Sequence, residues 1–279
     1  MNDMNAPMIE LAADFHVHPD YSIDAEGSLD EYCQAALNGY VLELCFTTHY
    51  DADPKHPDDS LIVIDGKKER LSDDAIGHYV KDVARVHEEY GMLGMMVRSG
   101  LEFGWFDGCE KELSRVIKKF PLDYKIGAVH TINGLCICCK DSAKKLFEKM
   151  PLDKIADNYF EKLYNCAGSG LFDCIAHIDV YRKYGLEYYG EEINTIHRGR
   201  IEKLFDIMKA NEVGYEINTS AIRHGLSEYY PTMEIVNLAR EKGVCLKSVG
   251  SDAHKPSQLA LDFEVASTVA YELFPYTDE

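Results

Sequence analysis

Two histidines stand two residues apart just after a short apolar run near the N-terminus. The run, residues 11–15, predicts a buried strand that Pro19 brings to an end. His16 and His18 are separated by the i, i+2 spacing that places side chains on one side of a strand, so both imidazoles would leave it in one direction. Two nitrogen donors placed this way predict a metal site. Two surface histidines in a loop are the alternative, because an isolated His-x-His pair is a weak signal.

Further apolar runs along the chain end in the same kinds of residue. The strand-end donors are His16, His18, His49, Glu102, His130, His177, Asp252 and His254. Nitrogen and carboxylate donors suit zinc, manganese or iron better than calcium. The set exceeds what one tetrahedral ion uses, so it predicts two or three divalent metal ions (Zn, Mn or Fe) bridged by Glu102. Such sites activate a bridging water for phosphoryl displacement, and Asp252 would shuttle the released proton.

Each of these residues could also have a purely structural role. Taken singly, His130 or His177 is more often a satisfied buried histidine than a metal ligand. Several strand ends with the same chemistry favour metal binding for the set as a whole. The other histidines fall on predicted helices or loops and are expected to face solvent, with only His224 near the site: His56, His78, His87, His197 and His224.

Two arginines follow predicted strands and are candidates for binding a phosphate group. Arg182 comes just after His177, and Arg223 follows the polar end of the sixth predicted strand at residues 218–220. A guanidinium fork fits phosphate oxygens in a bidentate way. A surface salt bridge is the alternative for either residue.

Predicted strands alternate with predicted helices along the whole chain. The strands are residues 11–15, 42–47, 95–101, 124–129, 172–176, 214–217 and 244–249, and the helices are residues 28–38, 73–90, 110–119, 142–150, 153–166, 192–210 and 233–242. Such alternation predicts a parallel sheet with right-handed crossovers. Polar residues after nearly every strand are typical of a β/α barrel, whereas an open doubly wound sheet would concentrate its ligands at one switch point. We therefore expect the α/β class, as a distorted (β/α)7 TIM-like barrel with parallel strands.

Composition limits the partners and the location of the protein. The 279 residues contain no repeat or linker, so we expect one domain over 1–279. A formal net charge of -19 argues against nucleic acid, but it does not exclude a small phosphate ester. No apolar stretch approaches the roughly 20 residues of a membrane helix. The N-terminus lacks signal-peptide features, so we expect a cytoplasmic protein with no membrane partner. The oligomeric state is left open.

Nine cysteines are present, and their layout is not that of a small disulfide scaffold. We expect them to be reduced and mostly buried. Three of them cluster at Cys136, Cys138 and Cys139, for which a metal-binding role is the alternative.

The strand-end motifs resemble those of the polymerase and histidinol phosphatase (PHP) superfamily, and most of all its stand-alone L-histidinol-phosphate phosphatase branch. The resemblance extends from about residue 14 to 263. It rests on residues 14–18, 46–49, 100–102, 127–130, 172–179, 216–220 and 250–256.

This resemblance implies a distorted seven-stranded barrel with a trinuclear metal site. The implied ligands are His16, His18, Glu102 and Asp252 for the first ion, Glu102, His130 and His177 for the second, and His49 and His254 with Asp24 for the third. Many members have a histidine where this chain has Asp24, so a solvated loop acid is the alternative there. Thr131 and residues 133–140 also depart from the branch pattern. Both changes concern the wall of the pocket, so the resemblance does not fix which alcohol is the leaving group.

The resemblance implies a metal-dependent phosphomonoesterase that hydrolyses L-histidinol phosphate in histidine biosynthesis through a metal-bridging hydroxide. The implied catalytic residues are Asp252, Glu102, Arg182 and Arg223, and the substrate would contact Arg182, Arg223 and His224. A PHP phosphoesterase for a nucleotide or sugar phosphate is the first alternative. An amidohydrolase-like metalloenzyme acting on a C–N bond and a non-enzymatic metal-binding protein are the others.

Overall fold

Seven parallel strands form the central sheet of this protein, whose computed structural model describes residues 13–56, 60–264 and 266. The strands are β1 (Ala13–Val17), β2 (Glu43–Tyr50), β3 (Leu61–Ile64), β4 (Lys67–Arg70), β5 (Met96–Gly104), β6 (Tyr124–Ala128), β7 (Thr131–Ile132), β8 (Leu135–Cys136), β9 (Cys174–Ile175), β10 (Gly214–Asn218) and β11 (Leu246–Gly250). The sheet order is β1-β2-β5-β6-β9-β10-β11, and the other four strands form two hairpins.

The two edges of the sheet come together, which makes the sheet a nearly closed barrel. Val17 forms a parallel bridge with Ala253, and the main-chain N–H of His18 donates to the Ala253 carbonyl at 2.8 Å. The predicted α/β barrel with parallel strands is therefore confirmed. Because all seven strands run the same way, their carboxyl ends share one mouth.

Helices cover the outside of the barrel. They are α1 (Leu29–Asn38), α2 (Asp73–Gly91), α3 (Glu110–Lys119), α4 (Lys140–Phe147), α5 (Leu152–Gly168), α6 (Arg182–Tyr189), α7 (Ile201–Ala210), α8 (Ser220–Arg223) and α9 (Met233–Lys242), with 3₁₀ helices at Gly190–Thr195 and Pro256–Gln258. A capping box begins α1, because the Ser28 hydroxyl accepts from the Glu31 N–H and the Glu31 carboxylate accepts from the Ser28 N–H. None of the helices within the described residues is long and apolar enough to cross a membrane.

The largest error in the predicted elements lies between β9 and β10. The structure divides the predicted helix at residues 192–210, because α7 begins only at Ile201 and Gly199 adopts a positive φ of 74°. Helix α6, which precedes this region, was not predicted. The first predicted strand, residues 11–15, extends instead to Val17, and its residues 11 and 12 lie outside the described part of the chain.

Two short hairpins were missed, although each has a local sequence signal. The turn of β3–β4 is Asp65-Gly66, and the turn of β7–β8 is Asn133-Gly134. All four residues have positive φ, as two-residue turns of the I′ type require. The second hairpin ends at a disulfide between Cys136 and Cys139, so the expectation that these cysteines are reduced was wrong.

Candidate metal centre

The strand-end donors predicted from the sequence gather at the carboxyl mouth of the barrel. Strands β1, β2 and β5 carry His16, His49 and Glu102 within their last residues rather than after them. The remaining donors follow β1, β6, β9 and β11, and they are His18, His130, His177, Asp252 and His254. Donors as far apart in sequence as His49 and His254, which are separated by 205 positions, are thereby neighbours.

Glu102 lies at the centre of this group and is only 1 % exposed. Its Oε1 atom lies 3.1 Å from Nε2 of His177 and 3.2 Å from Nε2 of His130. Its Oε2 atom lies 2.9 Å from Nδ1 of His49 and 3.5 Å from Nε2 of His18. Burial alone would raise the pKa of Glu102, but the His130 imidazole and its neighbours hold that pKa well below its usual value. The carboxylate is therefore ionised and directs each oxygen to different imidazoles.

Three sets of side chains each bring their donor atoms within 4.8 Å of one another. They are His16 with His18 and Asp252, Glu102 with His130 and His177, and His18 with His49 and His254. Within the last set the two Nε2 atoms of His49 and His254 are 3.4 Å apart. These sets are called the His16, His130 and His49 groups below.

The hydrogen bonds of His16 test whether these residues fit a metal ion. Its Nδ1 lies 2.9 Å from a carboxylate oxygen of Glu216, so Nδ1 carries a proton, and the neutral imidazole would present its lone pair at Nε2. That Nε2 is buried without a hydrogen-bond partner among the described residues, and it faces oxygens of Glu102 at 3.5 Å and Asp252 at 3.8 Å. Burial lowers the pKa of His16, but the Glu216 and Glu102 carboxylates hold that pKa well above its usual value, so positive charge is favoured at this point. A divalent cation would supply that charge in place of a proton, and the residues present therefore fit a divalent cation.

Asp24 reaches the His49 group from the loop after β1. Its Oδ1 lies 3.6 Å from Nε2 of His49, and its Oδ2 lies 3.5 Å from Nε2 of His254. The side chain is 58 % exposed, so it covers the group from the solvent side. Its carboxylate therefore faces two histidines of the His49 group from the adjoining loop.

The backbone departs from ordinary strand geometry at two of the donors. His177 and Asp252 have positive φ values of 23° and 52°, which non-glycine residues rarely adopt. Such strained conformations occur where the surrounding structure fixes them, and they cluster at functional sites.

Gly250 of β11 packs directly against His16, because a Cβ there would come within 2.5 Å of the His16 Cβ and 2.9 Å of a Glu216 oxygen. The approach of β11 to His16 therefore requires glycine.

Arg223 lies beside the His16 group with part of its guanidinium unused. Its Nη2 donates to the main-chain carbonyl of Asp252 at 2.9 Å. Its Nη1 is buried and has no hydrogen-bond partner among the described residues. Leaving a buried cationic N–H without an acceptor destabilises the protein, so Arg223 has a free N–H with which to bind an anionic ligand.

Arg182 is engaged more completely by the protein. Its side chain is 4 % exposed, and Nη1 donates to Asp179 Oδ2 at 3.1 Å and to the Tyr229 carbonyl at 2.9 Å. Its Nε donates to Asn194, and the guanidinium lies 5.8 Å from the centre of the Tyr230 ring. Arg182 therefore shapes the wall of the mouth and, unlike Arg223, has little hydrogen-bonding capacity left.

The other histidines differ in their surroundings. Desolvation at the barrel mouth and the nearby Lys183 ammonium lower the pKa of His224 to about 4, so its imidazole is neutral at pH 7. His197 was expected to face solvent, but it is fully buried and lies 3.3 Å from Glu234. This expectation was wrong because His197 packs inward immediately before α7.

Two carboxylates near the donors were not singled out from the sequence. Asp51 Oδ1 lies 3.6 Å from Nδ1 of His130, and Glu216 contacts His16 on the side away from the donor groups. Asp51 follows β2 directly and therefore had a strand-end signal. Glu216 lies within β10 and opens the motif at residues 216–220, but that motif does not indicate its contact with His16.

The fold and this site together define the class of metal-dependent β/α-barrel enzymes. The sequence profile of the PHP domain matches residues 14–220, which is most of the chain. The chain belongs to the PHP domain family, so the resemblance seen in its motifs is confirmed.

Relatives with assigned names match nearly the whole chain. A protein of Deinococcus radiodurans named "Probable histidinol-phosphatase" is 29 % identical over 251 residues, covering 90 % of this chain and 89 % of the relative. The "Histidinol-phosphatase" of Lactococcus lactis subsp. lactis is 24 % identical over 268 residues, with 92 % and 89 % covered. The solved structure of the Lactococcus lactis histidinol phosphate phosphatase, which is complexed with zinc, L-histidinol and phosphate, superimposes with a TM-score of 0.74 at 17 % identity. The superposition covers 95 % of this chain and 94 % of the Lactococcus lactis chain, and this likeness shows a shared fold.

Proposed function

We propose that this protein is a metal-dependent phosphomonoesterase that hydrolyses L-histidinol phosphate to L-histidinol and phosphate. The observation that carries the proposal is the single carboxylate of Glu102 shared among donor groups, with the unpaired guanidinium N–H of Arg223 beside them. Matches over about nine-tenths of relatives named histidinol-phosphatase support this substrate. We also propose that residues 1–279 act as one domain.

The three donor groups would hold the cofactor. We assign two or three divalent ions (Zn, Mn or Fe) to His16, His18, Glu102 and Asp252, to Glu102, His130 and His177, and to His49 and His254 with Asp24. His18 also lies close enough to serve the last group. Divalent cations held there would supply a Lewis acid for the phosphoryl oxygens and an activated water.

The side chains of the chain itself would position the phosphate and manage the proton. Arg223 Nη1 would donate to one phosphoryl oxygen, and the remaining nitrogen of Arg182 would donate to another. Asp252 is 15 % exposed, and its Oδ2 lies 3.2 Å from the Ser220 hydroxyl. That oxygen is placed to take a proton from the attacking water and return it to the leaving alkoxide. Catalysis would then consist mainly of positioning and charge neutralisation.

Phosphate release from zinc- or manganese-loaded protein tests the substrate. The panel contains L-histidinol phosphate, nucleotides, sugar phosphates and an aryl phosphate. We expect kcat/KM for histidinol phosphate to exceed that for the aryl phosphate by about 100-fold or more, because a site with fixed polar partners discriminates strongly. Equal turnover of both would replace this proposal with a phosphoesterase for another small ester.

Replacing Arg223 with alanine should raise KM for the phosphate ester by about 10- to 100-fold, the equivalent of one charge-assisted hydrogen bond of roughly 1.5–3 kcal/mol. Steady-state kinetics measure the effect. Arg198→Ala is the control, because Arg198 is 62 % exposed and pairs with Glu234 on the surface. An unchanged KM in both Arg223→Ala and Arg182→Ala would favour C–N bond hydrolysis over phosphate ester hydrolysis.

Arg182→Ala should destabilise the fold as well as weaken binding. It leaves Asp179, which is 0 % exposed, without its cationic partner, and breaking a buried ion pair costs about 3–5 kcal/mol. Chemical denaturation of the metal-loaded protein measures this loss. The stability of Arg223→Ala should change much less, and equal losses in the two variants would contradict the different surroundings described for them.

A further inference from the structure

Strand β10 differs from its neighbours because, among the described residues, it adds no donor to the three groups. Its polar residues are buried all the same. Glu216 and Asn218 are 0 % exposed, and Ser220, just after the strand, is 1 % exposed. Burying a carboxylate is costly unless it is well hydrogen-bonded. The contacts of Glu216 therefore indicate what this strand end does.

The Glu216 carboxylate contacts members of two donor groups at once. Nδ1 of His16 lies 3.0 Å and 2.9 Å from its two oxygens. The main-chain N–H of His177 donates to Oε1 at 3.0 Å. His16 belongs to the His16 group and His177 to the His130 group, so a single side chain is hydrogen-bonded to both.

The hydrogen bonds continue from Glu216 to a third donor. The Asn218 amide donates to Glu216 Oε1 at 2.8 Å. Asn218 Oδ1 lies 2.6 Å from the Ser220 hydroxyl, which also lies 3.2 Å from Asp252 Oδ2. The end of β10 thus connects donors that follow or end β1, β9 and β11.

We propose that Glu216, Asn218 and Ser220 form a positioning scaffold for the metal ligands, with Glu216 setting the spacing between the His16 and His130 groups. A carboxylate that accepts from Nδ1 of a ligand histidine fixes the tautomer, orients the ring and makes Nε2 more basic. This inference rests on the proposed metal-dependent function, but it does not depend on which phosphate ester is hydrolysed.

Glu216→Gln tests the scaffold with little change of shape. One end of the new amide is an NH₂ group, which in either orientation faces existing donors, namely His16 Nδ1 or the N–H groups of His177 and Asn218. We expect zinc affinity to fall about 10- to 100-fold at two sites, as for other partners of ligand histidines. Competition with a chromophoric chelator measures the affinity, and the visible spectrum of the Co²⁺-loaded protein reports the altered ligand geometry.

A second variant keeps the test decisive if Glu216→Gln does not fold. Ser220→Ala removes the hydroxyl that contacts both Asn218 Oδ1 and Asp252 Oδ2 and leaves Glu216 in place, so it should weaken zinc at one site by about 3- to 10-fold, the equivalent of one ordinary hydrogen bond. Asp123→Asn is the matched control, because the Asp123 carboxylate accepts from the Ser99 N–H at 2.9 Å near the opposite end of the barrel. Its zinc affinity should equal that of the wild type.

The outcomes separate this inference from the function it rests on. If the wild type binds zinc and Ser220→Ala and the folded Glu216→Gln bind it equally well, the scaffold role is overturned and the metal-dependent function stands. If Glu216→Gln lowers the melting temperature of the metal-free protein but leaves zinc affinity intact, the residue is only structural. If the wild type binds none of zinc, manganese and iron, the proposed function itself fails.

Discussion

Glu102→Gln should lower kcat/KM for the phosphate ester by about 10³-fold or more and reduce the metal bound per chain. Glu102 directs its two oxygens to different imidazoles, with contacts of 3.1 Å to His177 and 2.9 Å to His49. Glutamine keeps one acceptor oxygen, loses the charge and places an NH₂ group against ring nitrogens that need a cation or a proton. The donor groups that share this carboxylate would therefore be weakened together. Steady-state kinetics and elemental analysis of the same sample measure both effects.

Glu43→Gln is the control for this substitution. Glu43 is the first residue of β2, at the end of the strand away from the donor groups, and it forms an ion pair with Arg98. The same loss of a carboxylate there should leave activity and metal content at the wild-type level. Wild-type activity and full metal content in Glu102→Gln would show that this residue does not bridge metal ions.

The sequence was sufficient to predict which donors meet, because barrel topology converts strand order into proximity. His16 and His18 share one side through the i, i+2 spacing, and every parallel strand of the barrel ends at the same mouth. A donor needed only to be assigned to a strand end to be placed in the site. Errors of two or three residues in strand bounds did not matter, as His49 and Glu102 show by lying within their strands.

Contacts that depend on burial and packing could not be predicted from the order of strands or the spacing of residues. The position of Glu216 against His16 follows from the register of β10 with β11, where Glu216 lies opposite Ser248. Likewise, no spacing indicates that Nη1 of Arg182 donates to the Tyr229 carbonyl, 47 residues away. In both cases the partners are distant in sequence and only the folded chain brings them together.

Other errors came from local signals that were present but overridden by a stronger pattern. The Asp65-Gly66 and Asn133-Gly134 pairs are typical hairpin turns, yet they lie in loops between longer elements. Gly199 interrupts a stretch whose apolar periodicity otherwise predicts one continuous helix. Helical periodicity spans a single glycine easily, so the break in the helix was missed.

Removal of metal should abolish hydrolysis and lower the melting temperature. A ligand that binds only the folded state stabilises it by about 4 kcal/mol when its free concentration is 1,000 times Kd. For a chain of this size that corresponds to a shift on the order of 10 °C per occupied site. Thermal denaturation with increasing Zn²⁺, after treatment with a chelator, measures the shift, and phosphate release measures the return of activity.

The comparison with Glu102→Gln makes this result specific to the barrel mouth. Zinc bound elsewhere on a protein with a net charge of -19 would stabilise both proteins equally. Zinc held by the donor groups should raise the melting temperature of the wild type far more than that of Glu102→Gln, because the variant lacks the carboxylate that contacts both the His130 group and His49. Equal shifts in the two proteins, or a wild type that stays active and metal-free after chelation, would place the chemistry outside these residues.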